Sequence, residues 1–454
     1  MGLALLKQTD TTAQRKTIIV GLGKSGLSCA RFLLRQGVDV MVVDSRANPA
    51  AAQQLQNELP EVETRFGGFD AELFQQAGML VVSPGVSLRD PVIAAAIEAG
   101  VEVAGDIELF ACNAKAPVIA ITGSNGKSTV TTMVGEMARH AGKDVRVGGN
   151  IGTPALDLLQ QSEPDLYVLE LSSFQLETII SLKPAAAVVL NVSQDHLDRY
   201  RDMQDYAETK RRIFDGAAIK LINLDDALVA SWCGDDQSWL RFSLYQPQRS
   251  SDFGVVQQNG QSWLVKGEQK LLPVSGLKVA GKHNVANALA ALALGEAVGL
   301  PMEAMLEALR SFAGLPHRCQ WLAEKDGVNW YNDSKATNVA AAVAAINSMA
   351  GKVVLLAGGE AKGQDFSALH DAMANKGRAV VLFGVDAGQI AIALNGVVQV
   401  EHVDNMRAAV ETAKNLAQAG DAVLLAPACA SFDMFVGYED RGNQFATAVA
   451  EVLV

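Results

Sequence analysis

Ala120-Ile121-Thr122-Gly123-Ser124-Asn125-Gly126-Lys127-Ser128-Thr129 ends an apolar run that begins at Pro117, and it opens a helical pattern over 127–141. A strand, a glycine-rich turn and a helix in that order have the pattern of a P-loop. Consecutive backbone N–H groups can cradle phosphates, Lys127 can neutralise them, and the Ser128 hydroxyl can reach Mg²⁺. The spacing departs from the standard one, because Ile121 stands where the first glycine is expected and Gly123 supplies the loop glycine. The strand before, the helix after and the Gly126-Lys127-Ser128-Thr129 core carry the reading. Such a loop sits at the carboxyl end of a parallel strand, which sets the fold class as α/β.

The same grammar extends both ways along the chain. Upstream, Thr17-Ile18-Ile19-Val20-Gly21-Leu22 is an apolar run ending in glycine. A helical pattern follows over 27–35, then a strand at 38–44 and weaker units at 79–85, 91–100 and 101–105. Apolar runs of this length suit buried parallel strands. Downstream, 144–149, 166–171 and 185–192 read as strands. The segment 231–276 reads as a small β insertion, with a hairpin signal at Gln258-Asn259-Gly260-Gln261. A long helix is expected over 283–298. Beyond Gly314-Leu315-Pro316 come strands at 329–334, 352–359, 378–384 and 421–430, with helices at 338–349, 366–376, 405–418 and 441–453. We therefore expect three domains, at 1–105, 106–314 and 315–454. They are a Rossmann-like N-terminal domain, a central P-loop ATPase-type domain with a mostly parallel sheet and the small β insertion, and a C-terminal Rossmann-like domain. The 454 residues agree with about 150 per domain. The residues before the first strand read as a lightly packed tail.

Hydrophobic residues make up 49% and charged residues 19%, which supports large cores and argues against disorder. The net charge of −12 gives no broad electrostatic footprint for nucleic acid or an anionic membrane, but leaves room for a local basic pocket. Cys29, Cys112, Cys233, Cys319 and Cys429 form no C-x-x-C pair, and their odd number points to a reducing compartment. The first ten residues lack the basic flank and apolar length of a signal peptide. No apolar run approaches the roughly 18 residues of a spanning helix. We expect a cytoplasmic monomer without nucleic-acid or membrane partners.

Other residues that could carry chemistry stand after strands. Gly21-Leu22-Gly23-Lys24-Ser25-Gly26 is a glycine turn opening a helix, and Asp44 ends the next strand, where its carboxylate could reach a ribose or base. By fingerprint alone this is a dinucleotide site for a ligand such as NAD, or a turn required only for strand–helix packing. Glu170, in Glu170-Leu171-Ser172-Ser173-Phe174-Gln175, ends a strand as a magnesium-binding acid would. Asn191-Val192-Ser193-Gln194-Asp195-His196-Leu197-Asp198-Arg199-Tyr200 clusters acids and a histidine after another strand, suggesting a metal or substrate role. Lys210-Arg211-Arg212 follows, and Arg211 and Arg212 read as a solvated basic helix face.

Taken together, TGSNGKST, ELSSFQLE, NVSQDHLDRY, GLPHR, NDSKATN and PACASFD resemble the Mur ligase family, and the match runs over nearly the whole chain. The resemblance implies an ATP-dependent ligase of peptidoglycan precursor synthesis. An acyl phosphate forms on a UDP-linked carboxylate, and the amine of an amino acid then attacks it. The motif pattern favours D-glutamate as that amino acid and UDP-N-acetylmuramoyl-L-alanine as its partner. The N-terminal glycine motif would then hold uridine diphosphate rather than NAD, through Lys24, Ser25, Asp44, Ser45, Arg46 and Gly85, with Asn150 and His196 nearer the reaction centre. ATP would meet Gly123, Ser124, Asn125, Gly126, Lys127, Ser128, Thr129, Asn287, His317, Arg318, Asp333 and Lys335. Thr337, Lys362, Ser431, Phe432 and Tyr438 would form the D-glutamate pocket, with Tyr438 where the family has phenylalanine. Lys127, Glu170, His196 and Lys210 would be catalytic. Two Mg²⁺ ions are implied, on Ser128, Glu170, His196 and Lys210, the lysine being carbamylated by CO₂. Rival readings are a family member adding another amino acid, a folylpolyglutamate synthase, a nicotinamide oxidoreductase and a non-catalytic nucleotide-binding module.

Overall fold

Three sheets organise the chain in a computed structural model that describes residues 16–160, 162–193, 195, 199–234, 236–279 and 281–453. The expected N-terminal tail falls almost wholly outside these residues. The first sheet has the spatial order Glu63–Phe66, Val40–Asp44, Thr17–Val20, Met79–Val82, Glu102–Ala104, and every pairing is parallel. Thr17–Val20 is buried along its length because it lies between two strands and under helices on both faces, the environment its β-branched side chains suit. Strand order reverses beside it, so its carboxyl end opens into a crevice.

The helix Lys24–Arg35 starts at the glycine turn itself, three residues before its apolar periodicity begins. Gly26 permits this start: a Cβ there would lie 2.1 Å from the Gly21 carbonyl oxygen. The Ser83 hydroxyl donates to that same oxygen at 2.6 Å and ties the turn to the neighbouring strand.

The central sheet has nine strands. Their order is Gln269–Pro273, Gln261–Lys266, Phe253–Gln258, Leu240–Phe242, Ile219–Asn223, Ala186–Val189, Val118–Thr122, Leu166–Glu170 and Val145–Gly149. The segment expected as a β insertion is thus a continuation of this sheet: Leu240–Phe242 pairs in parallel with Ile219–Asn223, and Phe253 with Phe242. Its hairpin turns at Asn259 and Gly260, both with positive φ, as a two-residue type I′ turn requires. One apolar core runs from the first sheet to the central one, through Leu27, Ile107, Phe110, Leu156, Tyr167 and Leu176 among others. Phe110 meets Tyr167 edge-on, with centroids 5.0 Å apart.

The third sheet runs Gln320–Lys325, Val328–Asn332, Ala422–Leu425, Val353–Gly358, Gly377–Phe383, Gln399–His402. Only its first pair is antiparallel. Two apolar clusters cover its faces, one around Leu355, Ile346 and Met373, the other around Trp330, Val381 and Phe445. The chain forms two compact units. One comprises Met1–Gln257, Trp263–Leu271 and Asn287–Ala308, and the other Gln258–Ser262, Leu272–Ala286 and Leu309–Val454. No helix among the described residues is long and apolar enough to cross a membrane.

Because the atom facing Gly26 belongs to the backbone, Gly26→Ala should force the turn to move and cost about 1–3 kcal/mol of stability. Urea unfolding reads this as a lower midpoint at unchanged slope. A midpoint equal to wild type would show that the turn yields freely.

Candidate active site

The residues expected at the first glycine motif line one cavity. Lys24, Ser25, Asp44, Ser45, Arg46 and Gly85 share about 470 Å³ with Gly21, Gly23, Ser83, Pro84 and Val86. The last three sit on the return turn after a neighbouring strand, a contribution no local motif announces. Asp44 is 2% exposed. Its carboxylate accepts from the Leu22 backbone N–H at 2.7 Å, and from the Arg46 backbone at 2.9 Å and guanidinium at 2.7 and 2.9 Å. Burial alone would raise its pKa, but the Arg46 side chain and these backbone donors hold it down at about 2. The carboxylate is therefore used to fix the glycine turn and to aim Arg46, whose side chain is 58% exposed.

Ser25 also links this pocket to the central sheet. Asp106 is buried, accepts from Gln175 Nε2 at 2.9 Å and from the Ile107 N–H, and is hydrogen-bonded to the Ser25 side chain. Burial raises its pKa despite these donors. Gln175 itself completes a capping box with Ser172.

The second cluster surrounds the phosphate-loop motif. Thr122 ends its strand and Lys127 opens the helix Lys127–His140, with Gly126 between them in the left-handed region at φ 84°. A Cβ on Gly126 would lie 2.6 Å from Asn287 Oδ1, so Asn287, from the helix Lys282–Ala297, packs directly on the loop. The loop is braced by Asn191, which accepts from Asn125 N at 2.8 Å and donates to Asn125 O at 3.1 Å. Lys127 Nζ donates to Gly123 O at 2.8 Å and Ser124 O at 3.0 Å. Ser128 Oγ donates to Glu170 at 2.7 Å, and Asn150 Nδ2 donates to its other oxygen at 2.7 Å. Thr129 lies in the first helical turn, half-buried.

Lys210 is 1% exposed at the end of the helix Met203–Arg211. Its Nζ reaches the same Gly123 carbonyl at 3.1 Å and lies 4.7 Å from the Tyr206 ring centre. Burial, with the charge of Lys127 adding, pushes its pKa down to about 7; Asp195 and Glu170 oppose this. The structure thus brings together Gly123, Lys127, Ser128, Asn150, Glu170 and Lys210. His196, expected in the metal, substrate and catalytic sets, lies outside the described residues. Among the described residues no group of three His, Cys, Asp or Glu side chains converges as a metal site. Ser128 and Glu170 form a hard oxygen pair suited to Mg²⁺, which ordinarily takes one or two carboxylates and completes its shell with phosphate and water.

The remaining expected residues belong to the third sheet's unit. His317 and Cys319 both adopt positive φ, 62° and 42°, so Arg318 sits on a strained turn and is exposed. Asp333 accepts from the Cys319 N–H at 3.1 Å, and burial raises its pKa. Lys335 Nζ lies 5.0 Å from the Tyr438 ring centre, and the His317 ring meets Tyr438 edge-on at 6.2 Å. Tyr438 therefore neighbours His317 and Lys335. Thr337, Lys362 and Ser431 lie beyond the carboxyl ends of three adjacent parallel strands. Lys362 Nζ lies 5.6 Å from the Phe432 ring centre, and Phe432 is 67% exposed.

Two residues that sequence reading missed hold these loops. Gln364 accepts from Val339 N and donates to Ala361 O and Ala428 O. Arg441 is fully buried and donates to Ser334 Oγ, Ser334 O and Cys429 O at 2.8–3.1 Å. Burial lowers its pKa to about 10. Neither position carries a motif, and each acts on backbone carbonyls that a sequence does not locate.

A glycine loop beside a buried carboxylate on a parallel sheet, with a cavity of about 470 Å³ at the neighbouring sheet, has the pattern of a P-loop nucleotide-using α/β enzyme. Three family models match: Mur ligase MurD-like N-terminal domain over 15–105, Mur ligase middle domain over 121–295, and Mur ligase glutamate ligase domain over 317–429. A protein of Nitrosococcus oceani named UDP-N-acetylmuramoylalanine--D-glutamate ligase is 54% identical over 439 residues, covering 96% of this chain and 97% of that one. Its namesake in Pseudomonas aeruginosa is 55% identical, with 96% and 98% covered. Among solved structures, a UDP-N-acetylmuramate-alanine ligase from Thermotoga maritima aligns with a TM-score of 0.56 at 19% identity, over 96% of this chain and 99% of that one. A UDP-N-acetylmuramoyl-L-alanyl-D-glutamate--2,6-diaminopimelate ligase aligns with a TM-score of 0.58 at 20% identity, over 83% and 93%. The chain belongs to the Mur ligase family.

The lowered pKa of Lys210 has a thermodynamic consequence. Between about pH 7 and the ordinary lysine value the unfolded chain binds more protons than the folded one. Stability is therefore lost as pH falls through that window, and the loss is complete below about pH 7. Lys210→Met should accordingly be more stable than wild type at neutral pH, with the gap closing toward about pH 10. Urea unfolding of both proteins in CO₂-free buffer measures the gap, and a pH-independent gap would contradict the assignment.

Proposed function

We propose that the chain is the ATP-dependent ligase that joins D-glutamate to UDP-N-acetylmuramoyl-L-alanine in peptidoglycan precursor synthesis. The observation that carries this reading is the convergence of Lys127, Ser128, Glu170 and Lys210 on one loop, in a chain more than half identical to ligases of that name over nearly its full length. The division of labour is 1–105 for the UDP substrate, 106–314 for ATP and 315–454 for the amino acid.

The chemistry follows from charge. The substrate carboxylate must approach the γ-phosphate, so two anions meet. Lys127 supplies one positive charge there, and the loop N–H groups orient the phosphates. Ser128, Glu170, His196 and Lys210 would hold Mg²⁺ ions, which supply further screening between the two anions. The carboxylate oxygen displaces ADP from the γ-phosphorus. The neutral amino group of D-glutamate then adds to the acyl carbon, its nitrogen gives up a proton to solvent, and the tetrahedral species expels phosphate to leave the amide. Asn287, Arg318, Asp333 and Lys335 would seat the nucleotide. Thr337, Lys362, Ser431, Phe432 and Tyr438 would seat D-glutamate, with Lys362 placed for an acidic side chain.

Lys210 fits carbamylation. A pKa of about 7 leaves much of its amine neutral at physiological pH. The nitrogen lone pair can attack CO₂, the nitrogen releases a proton, and an anionic oxygen ligand replaces an ammonium beside Lys127. Burial explains the selectivity, since exposed lysines stay protonated.

Arg46 argues against the nicotinamide reading. A dinucleotide site needs a free acid at the second strand end to accept from a ribose hydroxyl. Here both Asp44 oxygens are occupied, and a guanidinium faces the cavity, which suits an anionic ligand. The enzyme would work in the cytoplasm as a monomer.

Phosphate release from ATP with UDP-N-acetylmuramoyl-L-alanine should require D-glutamate, and L-glutamate, L-alanine and L-lysine should not replace it. No release with D-glutamate would end this reading. Lys127→Ala should lower turnover about 100-fold or more, and near-normal rates would refute its phosphate role. With ¹³C-labelled CO₂, wild type should show one carbamate carbon signal that is missing from Lys210→Met. Identical spectra would exclude the carbamate at Lys210.

A further inference from the structure

Arg199 makes more specific contacts than any assigned role explains. Its guanidinium donates to Pro84 O at 2.7 Å and to Val86 O at 3.0 Å, both on the wall of the 470 Å³ cavity. It also forms a forked pair with Glu177, at 3.1 and 2.7 Å, and lies 4.1 Å from the Phe174 ring centre. Its side chain is only 10% exposed. Arg89, three residues beyond Val86, donates to the Arg199 carbonyl at 3.0 Å and to Asp205 at 2.5 Å.

The contacts continue toward the phosphate loop. Tyr200 donates to Glu177 at 2.9 Å and lies between Phe174 and Tyr206, at 6.2 and 5.2 Å between centroids. The Tyr206 hydroxyl is 3.2 Å from Ser124 Oγ, and its ring lies beneath Lys210 Nζ. One packed chain of side chains thus joins the wall of the first cavity to the loop that holds Lys127 and Lys210.

We propose that Arg199 is a positioning residue that fixes the span between the nucleotide cavity and the phosphate loop, and so selects a substrate whose carboxylate lies that far from its diphosphate. The inference rests on reading the cavity as the UDP site. A single ligand must fill both ends at once, so a small error in the span misplaces the carboxylate without weakening either end alone. The planar fork matters here: four acceptors in two directions are served by one guanidinium, which an ammonium cannot do.

The test compares wild type, Arg199→Met, Arg199→Lys and Arg89→Met. Readouts are kcat/KM for UDP-N-acetylmuramoyl-L-alanine, KM for ATP, Kd for UDP alone, and the thermal midpoint. Arg199→Met should lose about 100-fold and Arg199→Lys about 10-fold in kcat/KM for the full substrate. UDP affinity and KM for ATP should stay near wild type, and Arg89→Met should show a smaller loss with the same asymmetry. Unchanged kcat/KM would overturn the proposal. So would a parallel loss of UDP and ATP binding, or failure of all three variants to fold, because the arginine would then merely hold the domain. A wild-type enzyme inactive on the full substrate but binding UDP would strike the functional reading itself.

Discussion

Two lysines share one carbonyl oxygen at the centre of this protein. Lys127 and Lys210 both donate to Gly123 O, and Glu170 accepts from Ser128 and Asn150. Burial, with the charge of Lys127 adding, pushes the Lys210 pKa down to about 7. Gly123 directly follows the strand Val118–Thr122, and the helices bearing Lys127 and Lys210 each bring a side-chain nitrogen to its carbonyl. The loop thus gathers positive charge where negative charge would be stabilised. Triphosphate, a carboxylate and a carbamate would each offset the like charge of Lys127 and Lys210, which favours the proposed ligands.

The sequence revealed buried elements better than exposed ones. Thr17–Val20, Val118–Thr122, Leu166–Glu170 and Val353–Gly358 were legible because a strand covered on both faces is an uninterrupted apolar run. Glu63–Phe66 and Gln399–His402 were not, because they are exposed edge strands whose β structure comes from pairing. The strands from 240 to 273 were read as β but not as part of the central sheet, since periodicity does not name a strand's partner. The candidate site divides in the same way. The glycine loops, Glu170 and Lys210 announced themselves through spacing and resemblance. The role of Asp44 did not, because nothing local shows that Arg46 folds back onto it. Arg199, Gln364 and Arg441 were missed for a related reason: they bond to carbonyls far away in sequence.

The continuity of the first core bears on how the substrate would be measured. Leu27, Phe110, Leu156 and Tyr167 belong to one apolar cluster that spans the first two sheets. Asp106 bridges Ser25 and Gln175 across it, and Arg199 bridges the cavity wall and Glu177. Core packing is stiff, since interiors are close-packed and deform little. Two polar braces on a stiff core would hold the separation between the cavity and the phosphate loop near one value. A substrate of fixed length could be selected by that separation even though its two ends touch different sheets.

The net charge of −12 concerns the scaffold more than the site. Many acids sit where helices need them: Asp70, Asp90, Asp202 and Asp226 each cap a helix N-terminus by accepting backbone N–H groups. The two helices that begin at the glycine motifs are different. Gly23 and Gly126 occupy their N-caps and supply no side-chain acceptor. Each helix still has first-turn N–H groups without an intrahelical partner and a partial positive charge at that end. Asp44 is drawn aside to Leu22 and Arg46 and does not fill the vacancy. Where carboxylates cap, the helix end is satisfied from within the chain. At these two ends glycine replaces the cap, and the N–H groups stay open to water or to an anionic ligand. An acidic protein can therefore present anion sites without contradiction, because the net charge does not set the charge at a given helix end.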